Sequence, residues 1–224
     1  MTHIVGSALR SGHGFLRTAK FGLLFVIFGS TIILAQSVNT PSQINHNPFD
    51  KVDNMTEKLL VIIERHKDKY PESEMEYFID LNNLMTGFVD FNFVARKVMK
   101  NYAKAADVGQ RTRFVAVFRK GLVETYGRGL MSYGDEKIVL INRQPLREGQ
   151  RRILVKQEIR GSTAVYPLNY LMYQKKSTGE WNIVNVTLNG IDLSKTFASQ
   201  FTNSARKASG NIDRVIDGWL SASY

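Results

Sequence analysis

A change in the spacing of apolar residues near Gly134 constrains the fold of this 224-residue chain more than any other feature. Before Gly134 the apolar side chains recur every three or four residues, which is typical of amphipathic helices. After it they alternate with polar residues, which predicts strands over residues 137–143, 152–160, 163–175 and 180–188. Short connections rich in turn-forming residues separate these strands, so consecutive strands must run antiparallel. The pattern predicts an α+β domain in which helices precede a twisted, mainly antiparallel, four-stranded meander sheet.

Four helices precede the sheet in this interpretation. The first covers residues 51–70 and is stopped by Pro71, and the second covers residues 75–85. The third begins after Asp90, whose side chain is suited to capping a helix over residues 91–99. The longest is expected over residues 108–131, where apolar residues recur at helical steps. Its glycines at positions 121, 127 and 129 leave room for close approach by another element or by a ligand.

Residues 181–201 join the last strand to a C-terminal helix that is expected over residues 193–222. The strand begins at Trp181 and ends at Gly190, after which apolar residues repeat every four positions. Gly210 is expected to interrupt this helix. No residue type in the stretch is suited to catalysis, so we interpret it as a structural cover for one face of the sheet.

The first 37 residues have the layout of a secretory signal peptide. Three basic residues precede an uncharged run of 14 residues over positions 21–34, and small residues follow at Ala35 and Ser37. This run is short for a membrane-spanning helix of about 20 residues. Export with cleavage after Ala35 or Ser37 is expected, with an uncleaved anchor as the alternative. Residues 38–48 are predicted to be a flexible linker, and residues 49–224 a single domain.

Composition narrows the possible functions further. The net charge is +10 and falls to +7 once the three basic residues of the leader are removed, which favours acidic partners. Export argues against nucleic acid as the partner. The chain has no Cys, which excludes thiol catalysis, disulfides and Cys-ligated metals. Three of the four His lie in the leader or linker, and His66 is expected on a solvated helix face. We therefore expect no catalytic residue, cofactor or metal, and interpret the chain as a binding protein, not an enzyme.

One predicted strand is apolar on both faces. Between positions 165 and 173, apolar and aromatic side chains occur at both odd-numbered and even-numbered positions. A half-solvated antiparallel strand alternates more cleanly, so both faces of this strand are expected to be covered. A solid core and a ligand-binding cavity both explain the pattern, and periodicity does not choose between them.

Several segments, taken in order, resemble the MlaC family, which is also called the toluene-tolerance or Mla auxiliary family. They are residues 90–99, 114–126, 165–173 and 179–201, and the likeness covers about residues 50–220. The resemblance implies a monomeric periplasmic carrier whose apolar pocket, enclosed by helices and sheet, holds the acyl chains of a phospholipid. It also implies two partners: the inner-membrane complex of an Mla-type ABC transporter and an outer-membrane lipoprotein complex. Shuttling lipid between them would maintain outer-membrane lipid asymmetry.

Two positions depart from the family pattern. Family members often carry an acidic residue where this chain has Asn185, and a basic residue where it has Leu171. Both exchanges remove charge near the sheet and leave the headgroup preference open. The resemblance also extends to proteins associated with hopanoid metabolism, so a hopanoid or similar lipid is an alternative cargo.

Long acyl chains need apolar area, because burying each CH₂ group contributes about 0.8 kcal/mol. Twelve apolar or aromatic residues are expected to line the pocket: Phe118, Leu122, Tyr126, Ile153, Val155, Tyr166, Leu168, Tyr170, Met172, Ile183, Phe197 and Phe201. Trp181 is expected either at the pocket mouth or as a structural wedge.

Basic residues around one hairpin are expected to contact a partner or a lipid headgroup: Arg143, Arg147, Arg151 and Arg152. Solvated surface charges are the alternative. Two other functions remain open at this point, namely an exported interaction module with a solid core and an exported hydrolase with an unrecognised site.

Overall fold

Seven helices and five strands occur within residues 47–219, the part of the chain that the computed structural model describes. The helices are α1 Pro48–Lys67, α2 Glu74–Phe88, α3 Phe91–Met99, α4 Tyr102–Ala105, α5 Val108–Leu130, α6 Leu193–Lys207 and α7 Ile212–Asp217. The strands are β1 Lys137–Leu140, β2 Arg152–Arg160, β3 Val165–Gln174, β4 Trp181–Leu188 and β5 Ile191–Asp192. The predicted leader, the predicted linker up to residue 46 and residues 220–224 lie outside the described residues.

Side-chain caps fix where three of the N-terminal helices begin. Asn47 accepts a hydrogen bond from the Phe49 N–H at 2.9 Å, and Pro48 occupies the first helical position, where its missing N–H is not needed. Helix α1 therefore starts at Pro48, so this residue belongs to the helix and not to the predicted linker. Asp90 caps α3 as predicted, because its carboxylate accepts the Phe93 N–H at 3.0 Å. Asp107 caps α5 in a reciprocal pair with Gln110.

The sheet is an antiparallel meander in which each strand pairs with the next along the chain. The α+β prediction is confirmed, but the sheet has five strands instead of four. The added strand, β5, is two residues long and follows a turn whose residues Asn189 and Gly190 both have positive φ. A strand of two residues carries no periodicity, so alternation along the chain could not reveal it.

Strand β1 ends at Leu140 and is shorter than predicted, because the Asn142 side chain makes hydrogen bonds to β2 that backbone groups would otherwise make. The Asn142 amide donates to the Leu154 carbonyl and accepts from the Lys156 N–H, each at 2.7 Å. These two bonds occupy β2 backbone groups that a longer β1 would have used.

The buried apolar residues form two hydrophobic cores. The first, the sheet core, forms where α1 and α2 cover the inner face of the sheet and includes Phe49, Val52, Val155 and Trp181. The second, the helical core, joins α3, α5, α6 and α7 around Phe114, Phe118, Phe201 and Trp219. Phe114 meets Phe201 and Trp219 edge-on at ring distances of 4.9 and 5.0 Å.

The predicted C-terminal helix is divided in two. Helix α6 ends at Lys207, Gly210 takes a φ of +80°, and Asn211 caps α7 by accepting the Arg214 N–H. This is the break expected at Gly210. None of the helices within residues 47–219 has the length and apolar character needed to cross a bilayer.

Candidate functional site

An apolar cavity of about 270 Å³ lies between the inner face of the sheet and the second half of α5. Helix α5 packs mainly on α2, α3 and α7, whereas α1, α2, α3 and α6 are the helices that pack on the strands. The C-terminal half of α5 therefore stands away from the sheet. Gly127 lies in the wall where α5 contacts α2, and a Cβ there would lie 2.9 Å from Leu81 Cδ2.

The wall of the cavity is built from residues of five helices and four strands. Its residues are mainly aliphatic or aromatic and include Met55, Leu59, Leu81, Met85, Phe91, Phe118, Leu122, Tyr126, Leu130, Ile138, Ile159, Leu168, Tyr170, Ile183, Val186, Leu188, Leu193 and Phe197. Burial raises the pKa of both the Tyr126 and the Tyr170 phenol, so these hydroxyls remain neutral. The cavity thus suits a largely apolar ligand.

Seven of the twelve predicted pocket residues lie in this wall: Phe118, Leu122, Tyr126, Leu168, Tyr170, Ile183 and Phe197. They come from α5, β3, β4 and α6, which the sequence separates by up to 79 positions. The structure brings them together because the meander places β3 and β4 side by side, and α6 returns across the end of the sheet.

The other five lie outside the wall. Ile153, Val155 and Met172 belong to the sheet core, although they share the inner face with Leu168 and Tyr170. Helix α1 covers that end of the sheet and fills the space there.

Phe201 and Tyr166 are outside the wall for different reasons. Phe201, one turn beyond Phe197 on α6, is fully buried in the helical core. Tyr166 faces the cavity side, opposite Ile159, but lies at the end of β3 and is 45% exposed. Trp181 is fully buried in the sheet core and is therefore a structural wedge, not a mouth residue.

A buried hydrogen bond marks the boundary between the sheet core and the cavity. Gln157 follows the core residue Val155 on the inner face of β2, and its amide donates to the Thr56 hydroxyl at 3.0 Å. Thr56 lies in the cavity wall and donates in turn to the Val52 carbonyl at 3.1 Å. Gln157 and Thr56 satisfy one another, as buried polar groups must.

Asn185 and Ser194 form a polar corner of the wall, and sequence reasoning missed Ser194. The Asn185 side chain accepts a hydrogen bond from the Ser194 N–H at 3.1 Å, and both residues are buried. Ser194 was overlooked because a single Ser near a helix start usually caps that helix. Here Asp192 provides the cap by accepting the Lys195 N–H at 3.0 Å.

The four predicted contact arginines fall into two groups. Arg143 forms ion pairs with Asp50 and Asp53 on α1, and Arg151 stacks on Tyr173 while donating to the Gln174 carbonyl. These two are structural. Arg147 and Arg152 are exposed, and within residues 47–219 no ion pair or hydrogen bond of their side chains is found. Only these two remain available for another molecule.

His66 is buried, not solvated as expected. Its Nε2 lies 3.0 Å from Asp80 Oδ2 and its Nδ1 lies 3.3 Å from Ser73 Oγ, while its ring packs against Tyr77. The trio has the residue types of a hydrolase site, but the N–H groups of Ser73 and Glu74 already donate to the carbonyls of Lys69 and Pro71. Neither is free to stabilise an oxyanion. The trio therefore ties α1 to α2.

Comparisons with known proteins agree with this geometry. The chain is 28% identical to toluene tolerance protein Ttg2D of Pseudomonas putida over 173 residues, which are 77% of this chain and 79% of that protein. A phospholipid-binding protein of Ralstonia solanacearum, solved in complex with a phospholipid, shares its fold with a TM-score of 0.69. At 15% identity that match covers 78% of this chain and 96% of the other. The family profile described as MlaC protein matches residues 53–221, and the chain therefore belongs to the MlaC family.

Proposed function

We propose that this protein is a periplasmic lipid carrier that binds the acyl chains of a phospholipid in the cavity. In this proposal it moves lipid between the inner-membrane complex of an Mla-type ABC transporter and an outer-membrane lipoprotein complex, which maintains outer-membrane lipid asymmetry. It acts without a catalytic residue. The observation that carries the proposal is the cavity itself, whose wall is apolar on helix and sheet sides alike.

The energetics favour a carrier of this kind. Each CH₂ group moved from water into an apolar wall contributes about 0.8 kcal/mol, so even a few buried methylenes give useful affinity. The cavity volume of about 270 Å³ is close to the lower limit of about 300 Å³ for ligand pockets. Two long acyl chains would therefore require the cavity to widen, and the stand-off between α5 and the sheet is where we expect this to occur.

Relatives support the choice of cargo. The Ralstonia solanacearum protein is named as phospholipid-binding and was solved with a phospholipid, and it shares the fold of this chain. A hopanoid or similar lipid is a second candidate, because Leu171 and Asn185 leave the surroundings of the sheet without the charges that often occur at these positions in the family.

A vesicle transfer assay tests the carrier function. Donor vesicles contain a fluorescent phospholipid, acceptor vesicles contain none, and the purified mature protein is added at increasing concentrations. We expect the initial transfer rate to rise with protein concentration, because each carrier removes one lipid load from the donor membrane. A transfer rate that does not change with added protein would contradict a carrier function.

The same assay tests the exposed arginines. We propose that Arg147 and Arg152 approach acidic partners or anionic headgroups, since they lie at one end of the sheet and their charges have no ion-pair partner within residues 47–219. Reversing both to Glu is expected to slow transfer from anionic vesicles several-fold at low salt and to have little effect at high salt. Arg143→Glu is not a suitable control, because it would break ion pairs with α1.

A further inference from the structure

Ser194 stands out among the polar groups of the cavity wall. The residue is 3% exposed, and within residues 47–219 its Oγ atom has no hydrogen-bond partner. A buried hydroxyl without a partner is unfavourable, because folding removes its hydrogen bonds to water and provides none in their place. Thr56 is the other wall residue with an aliphatic hydroxyl. Its hydroxyl donates to the Val52 carbonyl and accepts from the Gln157 amide. A ligand in the cavity would be the natural partner for Ser194.

The surroundings of Ser194 limit which chemical group could bind there. Ser194 lies in the first turn of α6, where N–H groups point outward and attract electron-rich atoms. Two of these N–H groups are already used, since Ser194 N donates to Asn185 Oδ1 and Lys195 N donates to Asp192 Oδ1. Of the hydroxyl groups in this turn, that of Thr196 donates to the Asp192 carbonyl, whereas that of Ser194 has no partner within residues 47–219.

The carboxylate of Asp192 disfavours a phosphate beside Ser194. Partial burial raises the pKa of Asp192, but hydrogen bonds from the Lys195 N–H and the Asn185 side chain, together with the charges of Lys195 and Lys97, lower it, and the net pKa is below its ordinary value. Asp192 is therefore a carboxylate at neutral pH, two residues from Ser194. A phosphate would be repelled by this charge, whereas a neutral carbonyl oxygen would not. In a glycerophospholipid the neutral oxygens nearest the acyl chains are those of the ester carbonyls.

On the basis of the proposed function, we infer that the Ser194 hydroxyl donates a hydrogen bond to an acyl ester carbonyl of the bound lipid. The ester group then sits at the polar corner formed by Ser194 and Asn185. The acyl chain beyond it extends along the apolar wall towards Phe197 and Leu122. The phosphate remains outside, away from Asp192.

Matched ester and ether lipids test this inference. Delipidated mature protein is titrated with a diacyl phosphatidylglycerol and with its dialkyl ether analogue of the same chain length, which lacks the carbonyl oxygens. We expect the wild-type protein to bind the ester lipid about fivefold more tightly, as a net gain of one hydrogen bond implies. Ser194→Ala should lower this ratio to about one.

A control on the same helix separates the carbonyl contact from general effects. Thr202→Ala also removes a hydroxyl from α6, but this hydroxyl donates to the Ala198 carbonyl and lies outside the cavity wall. Its ester preference should equal that of the wild type. Equal binding of both lipids by the wild-type protein would overturn the inference and leave the proposed function standing. Binding of neither lipid would instead overturn the proposed function.

Stability provides a second readout. Ligand-free Ser194→Ala should unfold at the same temperature as the wild type or higher, because it loses a hydroxyl that has no partner in the described residues. Added ester lipid should then raise its midpoint less than that of the wild type. A Ser194→Ala protein that is less stable without ligand and gains as much from lipid as the wild type would contradict the inference. If that variant does not fold, Ser194→Cys, which has a weaker donor, is used in the same measurements.

Discussion

Leu122 and Leu168 lie on opposite walls of the cavity, one on α5 and one on β3. Neither is fully buried, so each borders space that is not already filled by protein. Both were predicted from the sequence as pocket residues. A larger side chain at either position is therefore expected to reduce the cavity volume without disturbing the sheet core or the helical core.

A tryptophan at either position should exclude lipid. Leu122→Trp or Leu168→Trp places a larger ring into a cavity of about 270 Å³, and we expect lipid occupancy to fall at least tenfold while the fold persists. Native mass spectrometry measures the occupancy, and circular dichroism checks the fold. Leu154→Trp is the matched control, because Leu154 is on the outer face of the same sheet and 40% exposed. Full occupancy in both cavity variants would show that this wall does not hold the cargo.

The two departures from the family pattern turn out to be one local feature. Leu171 and Asn185 are directly paired across β3 and β4, next to an irregularity in the register. A carboxylate at position 185 would add a second negative charge beside Asp192, at the start of α6. The neutral Asn185 instead accepts the Ser194 N–H without adding charge. The resemblance described above pointed to both positions, and the strand register shows that they are neighbours.

At the scale of elements, periodicity was sufficient for every long helix and strand. The limits of β2 were predicted without error, because nine alternating residues lie between clear turns. Two of the errors in element boundaries are at sites where a side chain takes the place of a backbone partner, as Asn142 does beside β2 and Asn47 does before α1. Hydrogen bonds made by single side chains leave no periodic signal in the sequence.

Helices α1 and α2 are joined by a polar tie that sequence reasoning placed in solvent. His66 and Arg65 on α1 both contact Asp80 on α2. The side chain of His66 was expected to be solvated because its sequence neighbours are charged. A helix position beside charged residues can still face a second helix, and the position of α2 relative to α1 is a property of the tertiary structure.

Removing the tie should lower stability in a pH-dependent way. The hydrogen bond from His66, with that of Arg65, holds the pKa of Asp80 below its ordinary value despite partial burial. A carboxyl with a depressed folded pKa stabilises fully above its unfolded pKa of about 3.9, and the contribution is lost as pH falls through the lower folded value. We expect Asp80→Asn to cost about 1 kcal/mol at pH 7, since the pair is partly exposed.

Urea unfolding at pH 7 and near pH 2.5 measures this difference. The gap between wild type and Asp80→Asn should be present at the higher pH and close to zero at the lower one. Glu72→Gln, at an exposed carboxyl between the two helices, serves as the control and should have little effect at either pH. A difference in unfolding free energy that does not change with pH would contradict a stabilising role for the Asp80 carboxylate.

For the whole molecule, the sequence left open whether the apolar faces enclose a core or a cavity. Both exist: α1 packs tightly over Ile153 and Val155, while α5 stands off from Leu168 and Tyr170 on the same face. The solid core and the cavity are lined by the same kinds of side chain. The composition and spacing of residues in the sequence therefore do not distinguish them. The distinction depends on the distance between α5 and the sheet, which is set by the contacts of α5 with α2, α3 and α7.

Family membership and the cavity together lead to the central claim that acyl chains occupy the space between α5 and the sheet. Organic extraction of the purified mature protein, followed by quantitative lipid mass spectrometry, tests this claim most directly. The account predicts phospholipid at about one molecule per protein in the wild type and a small fraction of that in Leu122→Trp. A wild-type protein that yields no stoichiometric lipid, or a Leu122→Trp protein that yields as much as the wild type, would contradict it.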